Sequence, residues 1–258
     1  MNTRTPLIGV FCGFEKSGTT VLNEVLRGHP DVFSGHEIGV LLADTPRDFP
    51  KIQPYFNFFC KTWELEKEVA MCCCDVLGWM EFYSRLRSVS PLVEKQNASI
   101  FDKTPRYMID LDNVLNKVPG LPCVVNVRDP RALMHSWACW SGGAEAPGDW
   151  VDENFEYCIE RFASYASSFW AAYTSRKHRI YVNQFEQMCQ RPEVELKKIF
   201  DFLELDFSPN FLNFDSKYFV YGNKITEDYV RSYQRAFSSD LCARIIDATK
   251  DFGDWHFE

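Results

Sequence analysis

The chain has 258 residues, 46% of them hydrophobic and 25% charged, which is enough for one large globular domain with a substantial core. A net charge of −8 argues against a general nucleic-acid or anionic-membrane surface, although a local basic pocket can still serve a small anion. The sequence carries no long apolar span and no hydrophobic leader, pointing to a cytoplasmic protein without membrane insertion, or to one trimmed of an anchor.

Residues 1–6 are a short polar lead-in, and Leu7-Ile8-Gly9-Val10-Phe11 then reads as a buried strand. Gly13 to Thr20, GFEKSGTT, is a glycine-rich turn, and Val21 to Arg27 has apolar residues at helical spacing. Strand, glycine-rich turn and helix form a phosphate-holding arrangement, because the turn aims backbone N–H groups at an anion and the helix N-terminus adds partial positive charge. Gly13 and Gly18 let the backbone bend, Lys16 supplies a mobile cation, and Ser17, Thr19 and Thr20 supply hydroxyl donors. Residues 31–35 read as a second strand, closed by His36-Glu37; a strand after a crossover helix runs parallel to the first, so Glu37 returns to the edge that carries Lys16.

Residues 38–97 contain no strand-like run, four prolines (Pro46, Pro50, Pro54, Pro91) and many aromatics, and read as a mostly helical insertion covering the site. Most of those aromatics are expected to pack, a few to line an acceptor pocket. Asn97-Ala98-Ser99 is a formal glycosylation sequon, given little weight without a secretion signal. A strand at 99–101 ends in Asp102-Lys103-Thr104-Pro105, and a helix is predicted over Tyr107 to Lys117. The clearest buried strand, 123–127, runs into Arg128-Asp129-Pro130-Arg131, with Pro130 placed to open a helix from Ala132 to about Trp140. There follow a loop over 141–148, a long helix from Val151 to Arg176, a strand at 179–182, a helix from Pro192 to Phe202 and a last helix from Ser238 to Thr249.

Neither repeat nor linker divides the chain, so residues 1–258 are read as one α/β domain with a central, mainly parallel sheet flanked by helices. Ligands in such sheets bind beyond the carboxyl ends of the strands, and those ends carry Lys16, Glu37, Lys103 and Arg128. The ten cysteines follow no scaffold or zinc spacing; Cys72-Cys73-Cys74 are consecutive, and reduced, buried thiols with no metal are expected.

Two motifs carry the chemistry. The nucleotide loop GxxxxGK[ST] has its lysine after the second glycine; Gly13 and Gly18 keep the spacing, but Thr19 stands at the lysine position and the lysine has moved to 16. At the end of the fourth predicted strand, Arg128 can make paired hydrogen bonds to a phosphate, and Ser136, eight residues on, can reach the same group. The loop resembles that of sulfotransferases using 3′-phosphoadenosine-5′-phosphosulfate (PAPS), roughly PxSGTT with Lys or Arg at x, with Glu15 replacing the usual Pro. The stretch from Val124 to Ser136 resembles the 3′-phosphate motif of that family, and Asp102-Lys103-Thr104-Pro105 looks like its DKTP or EKTP segment. The region ending in Glu37 is similar to that of tyrosylprotein and carbohydrate sulfotransferases. Resemblance covers most of residues 7–205 and is weak over 38–97 and 206–258.

The resemblance implies a P-loop-like sulfotransferase fold with a helical acceptor-side insertion, and a donor, PAPS, with no metal. It assigns the 5′-phosphate to Lys16, Ser17, Gly18, Thr19 and Thr20, the 3′-phosphate to Arg128 and Ser136, and catalysis to Lys16, Glu37 and Lys103. The cytosolic phenol and steroid branch has a histidine where Pro105 stands here, which favours Glu37 as base, with His36 as the alternative. Lys224 or Arg235 could serve a late loop closing over the nucleotide. The acceptor is expected to be a small-molecule, glycan, lipid or peptide hydroxyl, with an amine as the alternative; its identity stays open, as does the oligomeric state. A P-loop kinase of a small molecule and a non-catalytic nucleotide-binding protein are the competing readings; the first would need a lysine after Gly18 and an acidic strand end for magnesium.

Overall fold

The computed structural model describes residues 5–93, 98–214, 225–253 and 255. In chain order the strands and α-helices are β1 (Leu7–Gly13), α1 (Thr19–Arg27), β2 (Val32–Phe33), α2 (Tyr55–Thr62), α3 (Lys67–Cys74), α4 (Trp79–Val89), β3 (Ser99–Lys103), α5 (Leu111–Lys117), β4 (Cys123–Val127), α6 (Pro130–Trp140), α7 (Pro147–Glu153), α8 (Phe155–Arg176), β5 (Ile180–Gln184), α9 (Phe185–Gln190), α10 (Pro192–Phe202) and α11 (Ser239–Thr249). The five strands form one sheet in the order β2-β3-β1-β4-β5, every pair parallel. The fold class expected from the alternating pattern is therefore observed.

Alternation along the strands sends side chains to two cores, one on each face. Val10 and Cys12 of β1 and Val125 of β4 join the cluster beneath α4, α5 and α8, whereas Phe11, Phe101 and Val124 pack with residues of α1, α9 and α10. The described part of the insertion holds α2, α3 and α4 with two 3₁₀ turns, Val40–Leu42 and Pro46–Lys51. Its aromatics are mostly packing residues: Phe49, Phe56, Phe59, Trp63 and Phe82 are fully buried against one another.

Several boundaries differ from the sequence expectation, each for a local reason. β2 keeps only Val32 and Phe33, because side chains claim the backbone beyond: Asn23 Nδ2 donates to Gly35 O (3.2 Å) and Ser34 Oγ donates to Phe101 O (2.8 Å). The helix expected over 107–117 begins as a 3₁₀ turn, Pro105–Asp110, and turns α-helical at Leu111, whose N–H donates to Ser168 Oγ (3.0 Å). The helix expected over 151–176 is two: Asn154 ends α7 and starts α8, its side-chain amide bonding Trp150 O (2.8 Å). The loop over 141–148 gives up Pro147 and Gly148 to α7, with Pro147 in the first turn. The short helix α9 was not anticipated. All ten cysteines are free, but Cys72 and Cys139 are exposed rather than buried.

Candidate active site

Because every strand points the same way, the four carboxyl ends that carry chemistry share one edge, and β1 lies at its centre between β3 and β4. Phe11 of β1 is in register with Lys103, and Gly13 with Asn126. Gly13 must be a glycine at this closeness, since a Cβ there would lie 2.4 Å from Asn126 O. The turn that follows is anchored from β4: Asn126 Nδ2 donates to Ser17 O (2.9 Å), and Arg128 Nη1 donates to Lys16 O (2.8 Å). In a planar trans peptide the amide opposes the carbonyl, so pulling Ser17 O toward β4 turns the Gly18 N–H the other way. Gly18, in the left-handed region with φ 87°, precedes α1 and offers no side-chain cap, leaving the helix start open to an anion.

The residues present fit a phosphate-bearing donor on a further observation. Ser17 is fully buried, and its Oγ has no hydrogen-bond partner within the protein. Lys16 adopts φ 72°, and its Nζ lies 3.2 Å from the ring centroid of Trp140, which is 72% exposed. Burial lowers the Lys16 pKa, while Glu37 and Glu15 raise it and Arg161 and Lys103 lower it, so these four charges all act on one ammonium. Thr19 and Thr20 open α1, Thr19 buried and Thr20 half-buried.

Lys103 is 6% exposed and its Nζ stands 3.3 Å from Glu37 Oε1. A network under Asp102 holds both partners. Asp102 accepts from Tyr83 Oη (2.6 Å), Tyr107 Oη (2.7 Å) and Thr104 Oγ1 (3.0 Å). The same hydroxyls accept from the segment after Glu37: Gly39 N donates to Thr104 Oγ1 (3.1 Å) and Leu41 N to Tyr107 Oη (3.2 Å). Burial raises the Asp102 carboxyl to about 6 against the pull of these donors. Tyr83 comes from α4, so the insertion helps fix the strand end next to Lys103. His36 is half-buried, its pKa lowered by burial and by Lys103, and its carbonyl accepts from Trp63 Nε1 (3.0 Å).

Arg128 and Ser136 meet as expected, at 3.2 Å between Nη1 and Oγ. The surroundings were not foreseen. Arg128 is 5% exposed, its guanidinium lies 4.5 Å over the Phe185 ring, and Nη2 donates to Tyr229 O (2.5 Å), while Nε has no partner. The Tyr229 carbonyl therefore occupies one donor of the Arg128 guanidinium. Asp129 caps α6 through Arg131 N (2.8 Å) and grips the Arg131 side chain at 2.6 Å; its own N–H donates to Glu186 Oε1 (2.9 Å). Burial pushes Glu186 up to about 7. Lys224 lies outside the described residues. Arg235 is exposed on the 3₁₀ turn Ser232–Arg235, and it is the nearby Tyr229 that reaches Arg128.

Sequence reasoning also missed a group on α8 and α6. Arg161 forms an ion pair with Glu15, its guanidinium lies 4.5 Å over the Trp137 ring, and Trp137 Nε1 donates to Glu15 O (2.8 Å). Glu15 and Arg161 border a cavity of about 330 Å³ lined also by Arg106, Tyr157 and Tyr165. The only sequence signal was the i, i+4, i+8 spacing of Tyr157, Arg161 and Tyr165 along one helix face, which nothing local tied to the loop. Among the described residues no group of three or more His, Cys, Asp or Glu could hold a metal ion, and no helix is long and apolar enough to cross a membrane.

A glycine-bearing loop, two lysines and an arginine gather at one edge of a parallel sheet in an α/β protein, and comparison with known proteins makes the class specific. The sulfotransferase family profile matches residues 10–209, and the chain belongs to that family, whose activity is sulfuryl transfer. The fold is similar to the sulfotransferase domain of the Synechococcus PCC 7002 olefin synthase (TM-score 0.66, 18% identity, covering 94% of this chain and 92% of that one). It is also similar to the sulfotransferase domain from the curacin biosynthetic pathway (TM-score 0.65, 17% identity, 96% and 98% covered). In sequence it is 26% identical over 137 residues to nodulation protein NoeE of Sinorhizobium fredii, a match spanning 51% of this chain and 31% of that protein. The chain thus covers about a third of that curated relative's length.

Proposed function

We propose that the protein transfers a sulfuryl group from PAPS to an acceptor hydroxyl by in-line displacement, with Glu37 as general base. The observation that carries this reading is the Lys103–Glu37 pair within the charge field of Lys16. In the reaction the acceptor oxygen bonds to sulfur as the bond from sulfur to the 5′-phosphate oxygen breaks. The hydroxyl proton passes to Glu37, and the electron pair leaves with the phosphate.

Each residue has a role fitted to its surroundings. The loop amides with Ser17, Thr19 and Thr20 hold the 5′-phosphate, and the orphaned Ser17 hydroxyl gains a partner. Lys16 leaves the Trp140 ring to neutralise charge on the departing oxygen. Lys103 occupies Oε1 of Glu37, leaving Oε2 for the acceptor hydroxyl, and its ammonium steadies the sulfuryl oxygens. Arg128 and Ser136 take the 3′-phosphate, with the Tyr229 carbonyl giving way to it. The acceptor is a hydroxyl-bearing small molecule, glycan, lipid or peptide, entering from the side of the insertion.

The test is calorimetric titration with 3′-phosphoadenosine-5′-phosphate (PAP), beside ADP and magnesium-ATP, of wild type and Arg128→Ala. Selective binding of PAP, lost in the variant, is expected. Tighter binding of magnesium-ATP, or indifference to the 3′-phosphate, would overturn the reading in favour of a kinase.

A further inference from the structure

Glu15 is an anomaly in a loop that receives an anion. It adds a negative charge next to Lys16, where a donor would bring several more, and its charge already acts on the Lys16 ammonium. An uncompensated carboxylate there would repel the donor across a partly desolvated gap, where charges interact far more strongly than in water.

The fold answers this charge from a distance. Arg161, 146 positions away on α8, donates Nη2 to Glu15 Oε2. The pair is shielded, with side chains 22% and 29% exposed, and Arg161 is braced by stacking over Trp137. Trp137 in turn holds the Glu15 carbonyl, so α6 and α8 fix both the backbone and the side chain of one loop residue. Tyr165, one helical turn beyond Arg161, borders the same cavity with its hydroxyl buried, and Glu15 and Arg161 both act on that group. Among the described interactions Arg161 meets the loop through Glu15, by the ion pair and by the Trp137 ring that also holds the Glu15 carbonyl, while its charge is also felt at Lys16.

We propose that Arg161 is a charge-compensating residue of the donor site: it neutralises Glu15 so that the Gly13–Thr20 loop can accept a polyanionic nucleotide. The inference rests on the PAPS reading above. It assigns to this chain a donor-affinity determinant lying in α8, outside both phosphate motifs.

A double-mutant cycle on the intact protein tests it, with PAP as the probe and calorimetry as the readout. Arg161→Gln should weaken PAP binding roughly ten-fold, because Glu15 is left bare beside the phosphate. Glu15→Gln should bind as tightly as wild type or more so. The double variant Glu15→Gln/Arg161→Gln should return to within about three-fold of wild type, and Arg161→Lys, which keeps the charge, should do the same. A merely structural arginine would show no such rescue by a second neutral substitution. A double variant as weak as Arg161→Gln, or an Arg161→Gln affinity equal to wild type, overturns the proposal. Thermal unfolding of each variant guards against misfolding, and Arg161→Lys provides the arm that keeps the side-chain bulk. A wild type that fails to prefer PAP over ADP sinks the donor reading itself, which separates the two failures.

Discussion

Lys103 Nζ and Glu37 Oε1 stand 3.3 Å apart although 66 positions separate them in the chain. The contact follows from topology, since β2 and β3 are parallel neighbours and their carboxyl ends emerge side by side. If Glu37 takes the acceptor proton, Glu37→Gln removes the base while keeping shape and hydrogen-bonding capacity. The expected loss in kcat is roughly 10²–10⁴-fold, the usual worth of general-base catalysis, with PAP affinity changed little. The comparison uses PAPS consumption with an acceptor found by screening, set against PAP calorimetry on the same protein. His36→Asn is the decisive partner variant. A collapse of kcat there, with Glu37→Gln active, would transfer the base role to His36.

Glu186 gives the protein a pH signature. Its carboxyl is raised to about 7 from 4.5, chiefly by burial, while it caps the turn through the Asp129 N–H. Between those values the folded state holds a proton that the unfolded state has lost. The contribution of this residue to stability is therefore greatest at and below pH 4.5, falls as pH rises to about 7, and is level above. Glu186→Gln cannot ionise, so its stability relative to wild type should improve across that window by up to about 3 kcal/mol. Urea unfolding of both proteins at a series of pH values reads the difference. Parallel curves would show that Glu186 stays at its ordinary carboxylate range.

What could be read from the sequence and what could not divide along one physical line. The loop, its following helix and the β4–Arg128–Ser136 segment are local patterns, in which residue type and spacing dictate backbone shape, and they fold as read. Glu37 and Lys103 could be brought together because parallel strands impose a common edge. Partners fixed by packing between distant helices left no such trace. Nothing near Arg161 announces Glu15, nothing near Tyr83 announces Asp102, and Tyr229 lies 101 positions beyond the arginine it closes over. Asn154 shows the same limit on a smaller scale: helical spacing runs through it, but a side-chain amide competing for Trp150 O ends one helix and starts another.

Gly18 packs the loop against Phe185 beneath Arg128, and replacing it should disturb both the loop and Arg128. Its φ of 87° lies in the left-handed region, where a residue bearing Cβ is strained by about 1–2 kcal/mol. A Cβ would also stand 2.3 Å from the Phe185 ring, which cannot retreat freely because the Arg128 guanidinium lies 4.5 Å over it. Gly18→Ala is therefore expected to destabilise the fold by roughly 2–4 kcal/mol, from backbone strain and overpacking together. It should also weaken PAP by displacing the loop and Arg128 at once. Trimming the obstacle separates the causes. Phe185→Leu in the Gly18→Ala background relieves the collision but not the left-handed strain, so urea unfolding should recover only the overpacking part. Full recovery of stability in the double variant would mean that the backbone tolerates alanine at position 18. No recovery would mean that the Phe185 contact is not what excludes a side chain there.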